Sequence, residues 1–186
     1  LSRGLGDVYK RQDESRATEW DKWDKFNSAV PIDLAQAEKL IKEGIPVVPT
    51  QWIETDKNEH LKQPGREHLH VPKYKSRLVA RGDLDYLDVR SDSPTCEIEA
   101  QNLICSYASS KKLRIRTADI TNAYFQGEVL DRLMLLKAPE GGIPGHPDQE
   151  YMIARVPIYG TRDAGRQFWK RLRKVMLDAG FRENTI

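Results

Sequence analysis

The chain has 186 residues, of which 39% are hydrophobic and 31% are charged. This length is enough to bury a core, as one large domain or one domain with an appendage, and the sequence lacks the long apolar run of a membrane span. Thirty basic residues against 28 acidic ones leave a formal net charge of +2, so the total charge does not by itself indicate a polyanionic partner.

The first segment, residues 1–12, has no clear hydrophobic period and resembles a translated linker, so we predict that it is disordered and exclude it from the fold. Residues 13–186 are then the folded region. Cys96 and Cys105 fall in one predicted helix, about 13 Å apart, which is too far for a disulfide. Two isolated thiols predict a reducing compartment, and the sequence shows no signal peptide.

The first part of the folded region is predicted to be helical over residues 17–44. Trp20, Trp23 and Phe26 recur about once per turn, and Asp33 can cap a second helix that ends at Gly44. Residues 45–53 read as a strand that its prolines should keep near a sheet edge. Residues 54–72 form a polar loop with three of the four histidines, for which we predict a surface loop rather than a metal site.

The next predicted strand, residues 74–82, carries three cations on one face. Lys75, Arg77 and Arg81 alternate with apolar residues that would face the core. A cationic strand face suits contact with phosphates, but an edge strand protected against aggregation has the same pattern. The strand alone does not separate these two interpretations.

The second half of the chain alternates helices and strands. Residues 96–110 are predicted to form a helix whose buried stripe consists of Ala100, Leu103, Ile104, Tyr107 and Ala108. Predicted strands at 113–117, 133–136 and 151–156 follow, with a loop at 140–149 and a final helix at 163–179 whose core face is Ala164, Phe168, Leu172 and Val175. The fold class is therefore α+β. No Gly-rich phosphate loop occurs, which argues against a dinucleotide-binding or P-loop enzyme.

The most informative segment is residues 117–127, TADITNAYFQG. Asp119 follows the end of a predicted strand, and a carboxylate at such a position is a suitable ligand for Mg²⁺. The aromatic ring of Tyr124 could then pack beside the group that the ion binds. An N-capping aspartate before a helix with an aromatic core face gives the same local pattern, and on this segment alone it is the favoured interpretation.

Three segments in order resemble the reverse transcriptases of copia-type retrotransposons: KSRLVARG at 75–82, ADITNAYF at 118–125 and IYGTRDA at 158–164. Trp52, Lys57, Ser93-Pro94, Pro139, Gly141 and Trp169 also match the family pattern, and the resemblance extends from about Glu19 to Phe181. Each motif is weak alone, but the ordered set is specific.

The resemblance implies the fingers and partial palm of a right-hand polymerase, truncated, with a mixed and mostly antiparallel sheet and packed helices. It implies an RNA-directed DNA polymerase that works by two-metal phosphoryl transfer. Asp119, with the backbone carbonyl of Ile120, would hold two Mg²⁺ ions. Its partners would be a template-primer, deoxynucleotide triphosphates and other parts of the polyprotein, with no membrane. The resemblance also implies a cytoplasmic location.

The resemblance also assigns residues that bind the incoming nucleotide. Lys75 and Arg77 would neutralise its phosphates, and Tyr124 would lie under the sugar and reject a 2′-hydroxyl. The remaining positions are Asn122 and Ala123, whose backbone would approach the triphosphate, and Tyr159, Gly160 and Arg162, which would lie beside the templating pair.

Two departures from the family pattern affect the functional prediction. Thr161-Arg162-Asp163 and Gly165 differ from the family's Leu-Lys-Gln-Ala-Pro, and no Tyr-x-Asp-Asp occurs in the chain. One aspartate cannot replace three carboxylates around two metal ions, so we predict that these 186 residues do not polymerise alone. A non-catalytic nucleic-acid-binding module and an interaction domain with a basic surface stay as alternatives.

Overall fold

The computed structural model describes residues 2–66 and 69–183, with side chains from residue 6 onward. In chain order, the elements are α1 (Ser2–Lys25), β1 (Ala29–Ile32), α2 (Leu34–Lys42), β2 (Val47–Asp56), β3 (Tyr74–Ala80), α3 (Ile98–Ser110), β4 (Leu135–Lys137), β5 (Tyr151–Ala154) and α4 (Ala164–Asp178). The predicted α+β class is confirmed. None of the helices in the described residues is both long enough and apolar enough to cross a membrane.

The five strands form one sheet in the order β1-β5-β4-β2-β3, in which only β2 and β4 run parallel. Strand β2 lies next to the edge strand β3, in agreement with the prediction that it lies near a sheet edge, and each of its halves pairs with a different neighbour. Its residues Val47, Val48 and Pro49 pair with β4, whereas the ladder to β3 begins at Thr50. Pro49 thus lies where one partner strand replaces the other, a position at which a residue without an N–H is tolerated.

Helix α1 covers the sheet and supplies the centre of the core. Trp23 is almost fully buried, stacks on Trp20 at 5.8 Å between ring centroids and meets Phe125 edge-on at 5.7 Å. Ser15 accepts a hydrogen bond from the Ser76 backbone N–H at 2.8 Å, which joins the helix to β3. The predicted tryptophan-bearing helix is confirmed.

The same helix begins at Ser2, so the prediction of disorder is wrong for residues 2–12. The segment contains no proline, and once the tryptophans anchor the following turns, each added residue gains a helical hydrogen bond without a new nucleation step. The origin of the segment as a translated linker stays a prediction.

The loop between β2 and β3 is held by Asp56. His70 Nε2 lies 2.5 Å from Asp56 Oδ2, and the backbone N–H groups of Lys73 and Asn58 donate to Oδ1. Desolvation alone would raise the pKa of Asp56, but these hydrogen bonds outweigh it and lower the pKa to about 2. His68, which the loop prediction includes, lies outside the described residues.

Helix α3 forms as predicted, but its predicted buried stripe is wrong. Leu103, Ile104 and Tyr107 are 71%, 58% and 58% exposed, and only Ala108 of the predicted set is buried. The predicted strand at 113–117 does not form either, and Leu113 and Ile115 are more than half exposed. The alternating pattern is present, but no described strand pairs with this segment, and strand structure depends on a partner.

Helix α4 matches its prediction in position and in three of the four residues of its apolar face, including the partly buried Leu172. Ala164 is buried and Phe168 is partly buried, but Val175 is 47% exposed. Gly180 ends the helix with a φ of +88° and donates its N–H to Leu177, as predicted for a C′ glycine.

A close backbone contact joins β3 to the turn before α4. The Ala80 N–H donates to the Tyr159 carbonyl at 2.8 Å, and Gly160 follows with a φ of +89°. A Cβ at Gly160 would lie 2.1 Å from the Ala80 carbonyl oxygen, and a Cβ at Gly82 would lie 2.1 Å from the Gly160 oxygen. Glycine is therefore required at both positions for the two backbones to approach.

We predict that Gly160→Ala lowers the free energy of unfolding by about 3–5 kcal/mol, because it adds left-handed strain to an overlap with backbone that cannot rotate away. Gly44→Ala is the matched control, since Gly44 has a φ of +86° but open space around its Cβ position. We expect it to cost about 1 kcal/mol. Urea unfolding measures both, and equal costs would contradict the role of the Ala80 contact.

Candidate nucleotide-binding site

The turn at residues 120–127 is shaped by one left-handed residue. Asn122 has φ 54° and ψ 43°, and a 3₁₀ turn, Ala123–Gln126, follows it. Asparagine adopts this conformation more readily than most residues. The turn sends Phe125 into the core, where it contacts Trp23 and Phe26, and leaves Tyr124 beside it and only partly buried.

Three of the predicted nucleotide-binding residues meet in one cluster. The Tyr159 ring contacts Tyr124 edge-on at 5.0 Å between centroids, and the Arg77 guanidinium lies over Tyr159 at 5.3 Å from its centroid. Phe125 supports Tyr159 from the core side at 5.6 Å. The backbone contact between β3 and Gly160 sets this geometry, because Arg77 and Tyr159 each lie within a few residues of it.

Asp119 is exposed and forms no hydrogen bond or salt bridge with this cluster among the described residues. Its charge acts on the Tyr159 hydroxyl. Burial is the main cause that raises the pKa of Tyr159, and the charges of Glu19 and Asp119 add to this effect, while Arg77 opposes it. The structure therefore brings Arg77, Tyr124 and Tyr159 into contact, and Asp119 is linked to them by its charge.

A groove with a volume of about 480 Å³ runs between α1 and β3 and reaches the 120–127 turn. Its lining includes Thr121 and Asn122 together with the lysines at positions 22, 57, 73 and 75. Burial lowers the pKa of Lys75, and the charges of Arg77, Lys57 and Lys22 lower it further. Mutual repulsion of this kind is the condition in which binding of an anion is favoured.

Arg162 does not join this cluster. Its Nη1 donates to the backbone carbonyls of Asp85 and Leu87, at 3.2 Å each, so it holds the segment that follows β3. Gly160 likewise has a packing role against Ala80. The contacts of these two residues are therefore structural, and their roles toward a nucleotide stay predictions.

Sequence reasoning missed two charged groups. Glu19 is 3% exposed and pairs with Lys22 at 2.6 Å; a carboxylate three residues before a lysine on a predicted helix was the available signal. Arg132 bridges Asp85 and Asp163 at 2.7 and 3.0 Å and so ties the turn after β3 to the start of α4. No local pattern indicated that second contact, because its partners lie 47 and 31 residues from Arg132.

Of the predicted metal-binding side chains, this region contains one carboxylate, that of Asp119. Asp119 is suitable as a ligand, but the described residues contain no group of three or more histidine, cysteine, aspartate or glutamate side chains that could hold a metal ion. Among the described residues, Asp119 would therefore supply one carboxylate ligand to a magnesium ion, not a complete set.

The buried hydroxyl of Tyr159 gives a testable pH dependence. Because the pKa of Tyr159 is raised in the folded chain, the stability that it contributes is fully present below about pH 10 and is lost as the pH rises through the folded value. We predict that Tyr159→Phe reduces the fall in melting temperature between pH 9.5 and pH 11 (approximate bounds set by the ordinary tyrosine pKa).

Thermal unfolding across this range measures the effect. Tyr86→Phe is the matched control. Tyr86 is 81% exposed, so this substitution removes one phenol hydroxyl without changing the cluster. An identical alkaline slope for the Tyr159 variant and the unaltered chain would contradict the prediction.

Comparison with known proteins gives the family. The family described as reverse transcriptase (RNA-dependent DNA polymerase) matches residues 39–186. The retrovirus-related Pol polyproteins from transposons RE2 and RE1 of Arabidopsis thaliana are 29% and 28% identical over 143 and 142 residues, 74% of this chain in each case. The chain spans 9% of the length of either relative.

No solved structure matches the chain significantly. The family match covers most of the sequence and includes all three motifs on which the resemblance was based. The chain therefore belongs to the reverse transcriptase family of RNA-dependent DNA polymerases, in its copia-type retrotransposon branch.

Proposed function

We propose that this chain is the nucleotide-binding part of a retrotransposon RNA-directed DNA polymerase, corresponding to fingers and partial palm. The observation that carries the proposal is the convergence of Arg77, Tyr124 and Tyr159, together with a lysine-lined groove that reaches the turn on which Tyr124 lies. These residues come from three separate segments, and a purely structural cluster would have no need of exposed cations at its rim.

The cations are available for phosphates. Within residues 2–66 and 69–183, neither Lys75 nor Arg77 forms a salt bridge with a carboxylate, although the chain has many acidic residues. Tyr159 holds the Arg77 guanidinium by a cation–π contact, which leaves its N–H groups free to donate in the plane of the group. Arg77 and Lys75 would bind the triphosphate of an incoming deoxynucleotide.

The turn at 120–127 would supply the remaining contacts. The ring of Tyr124 stands edge-on to Tyr159 and would lie beneath the sugar, where its bulk excludes a 2′-hydroxyl. The backbone of Asn122 and Ala123 would approach the triphosphate. Asp119, with the Ile120 carbonyl, would contribute to the binding of two Mg²⁺ ions in the intact protein, since the family generally uses divalent metal ions.

Template-primer and other parts of the polyprotein are the proposed partners, and the cytoplasm is the proposed location. Support for the partners comes from the relatives, which are named as Pol polyproteins and are much longer than this chain. A non-catalytic nucleic-acid-binding module is the second candidate, favoured by the lysine-lined groove, which requires no chemistry to bind a phosphate backbone.

We predict that Lys75→Gln and Arg77→Gln each weaken binding of an RNA–DNA template-primer about threefold to tenfold and reduce the slope of log K against log salt by about one. Each removes one cation that would contact a phosphate. Fluorescence anisotropy at several salt concentrations measures both quantities. Lys42→Gln, at an exposed lysine on α2 outside the groove, is the matched control and should change neither.

If the unaltered chain shows no salt-dependent binding, the polymerase proposal and the binding-module alternative both fail. An interaction domain with a basic surface would then be the better description.

We also predict that the purified 186-residue chain gives no primer extension with Mg²⁺ and deoxynucleotides, because it has no Tyr-x-Asp-Asp sequence to supply the second and third carboxylates. A gel assay with a labelled primer measures this, and a longer polyprotein segment of transposon RE2 provides the positive control. Divalent-dependent extension by the chain alone contradicts the prediction.

A further inference from the structure

One lysine of the groove between α1 and β3, Lys22, is paired with a buried acid that lies behind the groove lining. Glu19 projects from α1, is 3% exposed and accepts a hydrogen bond from Lys22 Nζ at 2.6 Å. A carboxylate is rarely buried to this extent unless it is paired, and removing its charge from water is costly. Two neighbouring aspartates on the same helix, Asp21 and Asp24, are exposed, so the burial of Glu19 is a property of its position.

The charge of Glu19 acts on the groove beyond Lys22. Lys75 is affected by three nearby cations, Arg77, Lys57 and Lys22, all of which disfavour its charged form, whereas Glu19 favours it. Glu19 also acts on Tyr159 in the neighbouring aromatic cluster. The charge of one buried carboxylate therefore acts on both the lysine-lined groove and the aromatic cluster.

We propose that Glu19 is a built-in counter-charge that takes the electrostatic place of a phosphate while the groove is empty. It holds Lys22 and offsets the repulsion among the groove lysines, so the free protein folds with its cations close together. The ligand that it substitutes for is a phosphate-bearing polyanion, either the backbone of a nucleic-acid strand or the triphosphate of a nucleotide. This inference rests on the proposed function and adds a residue that adjusts the affinity of the groove for phosphates.

The two effects of Glu19 have opposite signs. In the free protein it stabilises, because without it Lys22 loses its partner and the cations repel each other. Toward a bound polyanion it is unfavourable, because it repels phosphate and keeps Lys22 engaged. A residue with a purely structural role would weaken binding when it is changed, since the groove would be disturbed.

The test is Glu19→Gln, which keeps the shape of the side chain and removes its charge. We expect the melting temperature to fall by roughly 2–6 °C. We expect affinity for a fluorescent single-stranded oligonucleotide to rise about threefold to tenfold, because one like charge near the phosphates is gone. The salt slope should become steeper by about 0.7, as Lys22 becomes available for one more phosphate contact.

A second variant separates the effect of the Glu19 charge on binding from its effect on stability. Glu19→Gln combined with Lys22→Met removes both members of the pair, which avoids an unpartnered buried charge. We expect its affinity and salt slope to return close to those of the unaltered chain. Asp24→Asn, at an exposed position on the same helix, is the control for a general change of net charge and should leave oligonucleotide affinity within about twofold.

Two arms of the binding experiment distinguish the source of the phosphate. Binding is measured for the oligonucleotide and for a deoxynucleoside triphosphate without added metal. Tighter binding of the oligonucleotide by Glu19→Gln supports the inference with a strand in the groove, and tighter binding of the triphosphate alone supports it with the nucleotide there.

Unchanged or weaker binding of both ligands by Glu19→Gln, when the unaltered chain binds, overturns the inference and leaves the proposed function intact. Absence of binding by every variant and by the unaltered chain overturns both.

Discussion

The approach of the Gly160 backbone to Ala80 is the constraint on which the candidate site depends. The contact fixes the end of β3 against the turn that leads into α4, with the Ala80 N–H donating to the Tyr159 carbonyl. Because a backbone hydrogen bond and two glycines define it, no side chain can rotate to relax it. Arg77, three residues before Ala80, is thereby held over the ring of Tyr159, one residue before Gly160. The third side of the cluster, Tyr124, needs only the 120–127 turn to reach them.

Charge is distributed around this rigid contact in two different ways. Arg132 between Asp85 and Asp163 is largely buried and satisfied on two sides, so it acts as an internal tie between the segment after β3 and α4. The groove lysines are at the surface and have Glu19 as their nearby buried acid. A closed ionic contact favours one geometry of the fold, whereas an open cationic groove with excess charge favours binding of an anion.

Local sequence was sufficient for elements whose stability comes from near neighbours. Asp33 caps α2 through the Gln36 N–H as its position indicated, and β3 and α4 have almost their predicted bounds. The motifs also indicated Arg77, Tyr124 and Tyr159, which the fold brings together. Sequence could not show that Arg162 turns to the carbonyls of Asp85 and Leu87, because that contact spans more than 70 residues.

Helix α3 and the segment at 113–117 bear on how Asp119 would be held in position in a polymerase. Both carry the hydrophobic pattern of core elements, but their apolar side chains are mostly exposed in the described chain. A catalytic carboxylate must be held within about 0.5 Å of its productive position by packed neighbours. Asp119 follows an alternating segment that has no strand partner among residues 2–66 and 69–183, so nothing there restrains it to that degree. Under the proposed function, the residues that bind the nucleotide can be ordered while the catalytic carboxylate is not. The aromatic and cationic residues are anchored by β3 and by the turn before α4, whereas the position of Asp119 depends on strand pairing of the segment before it.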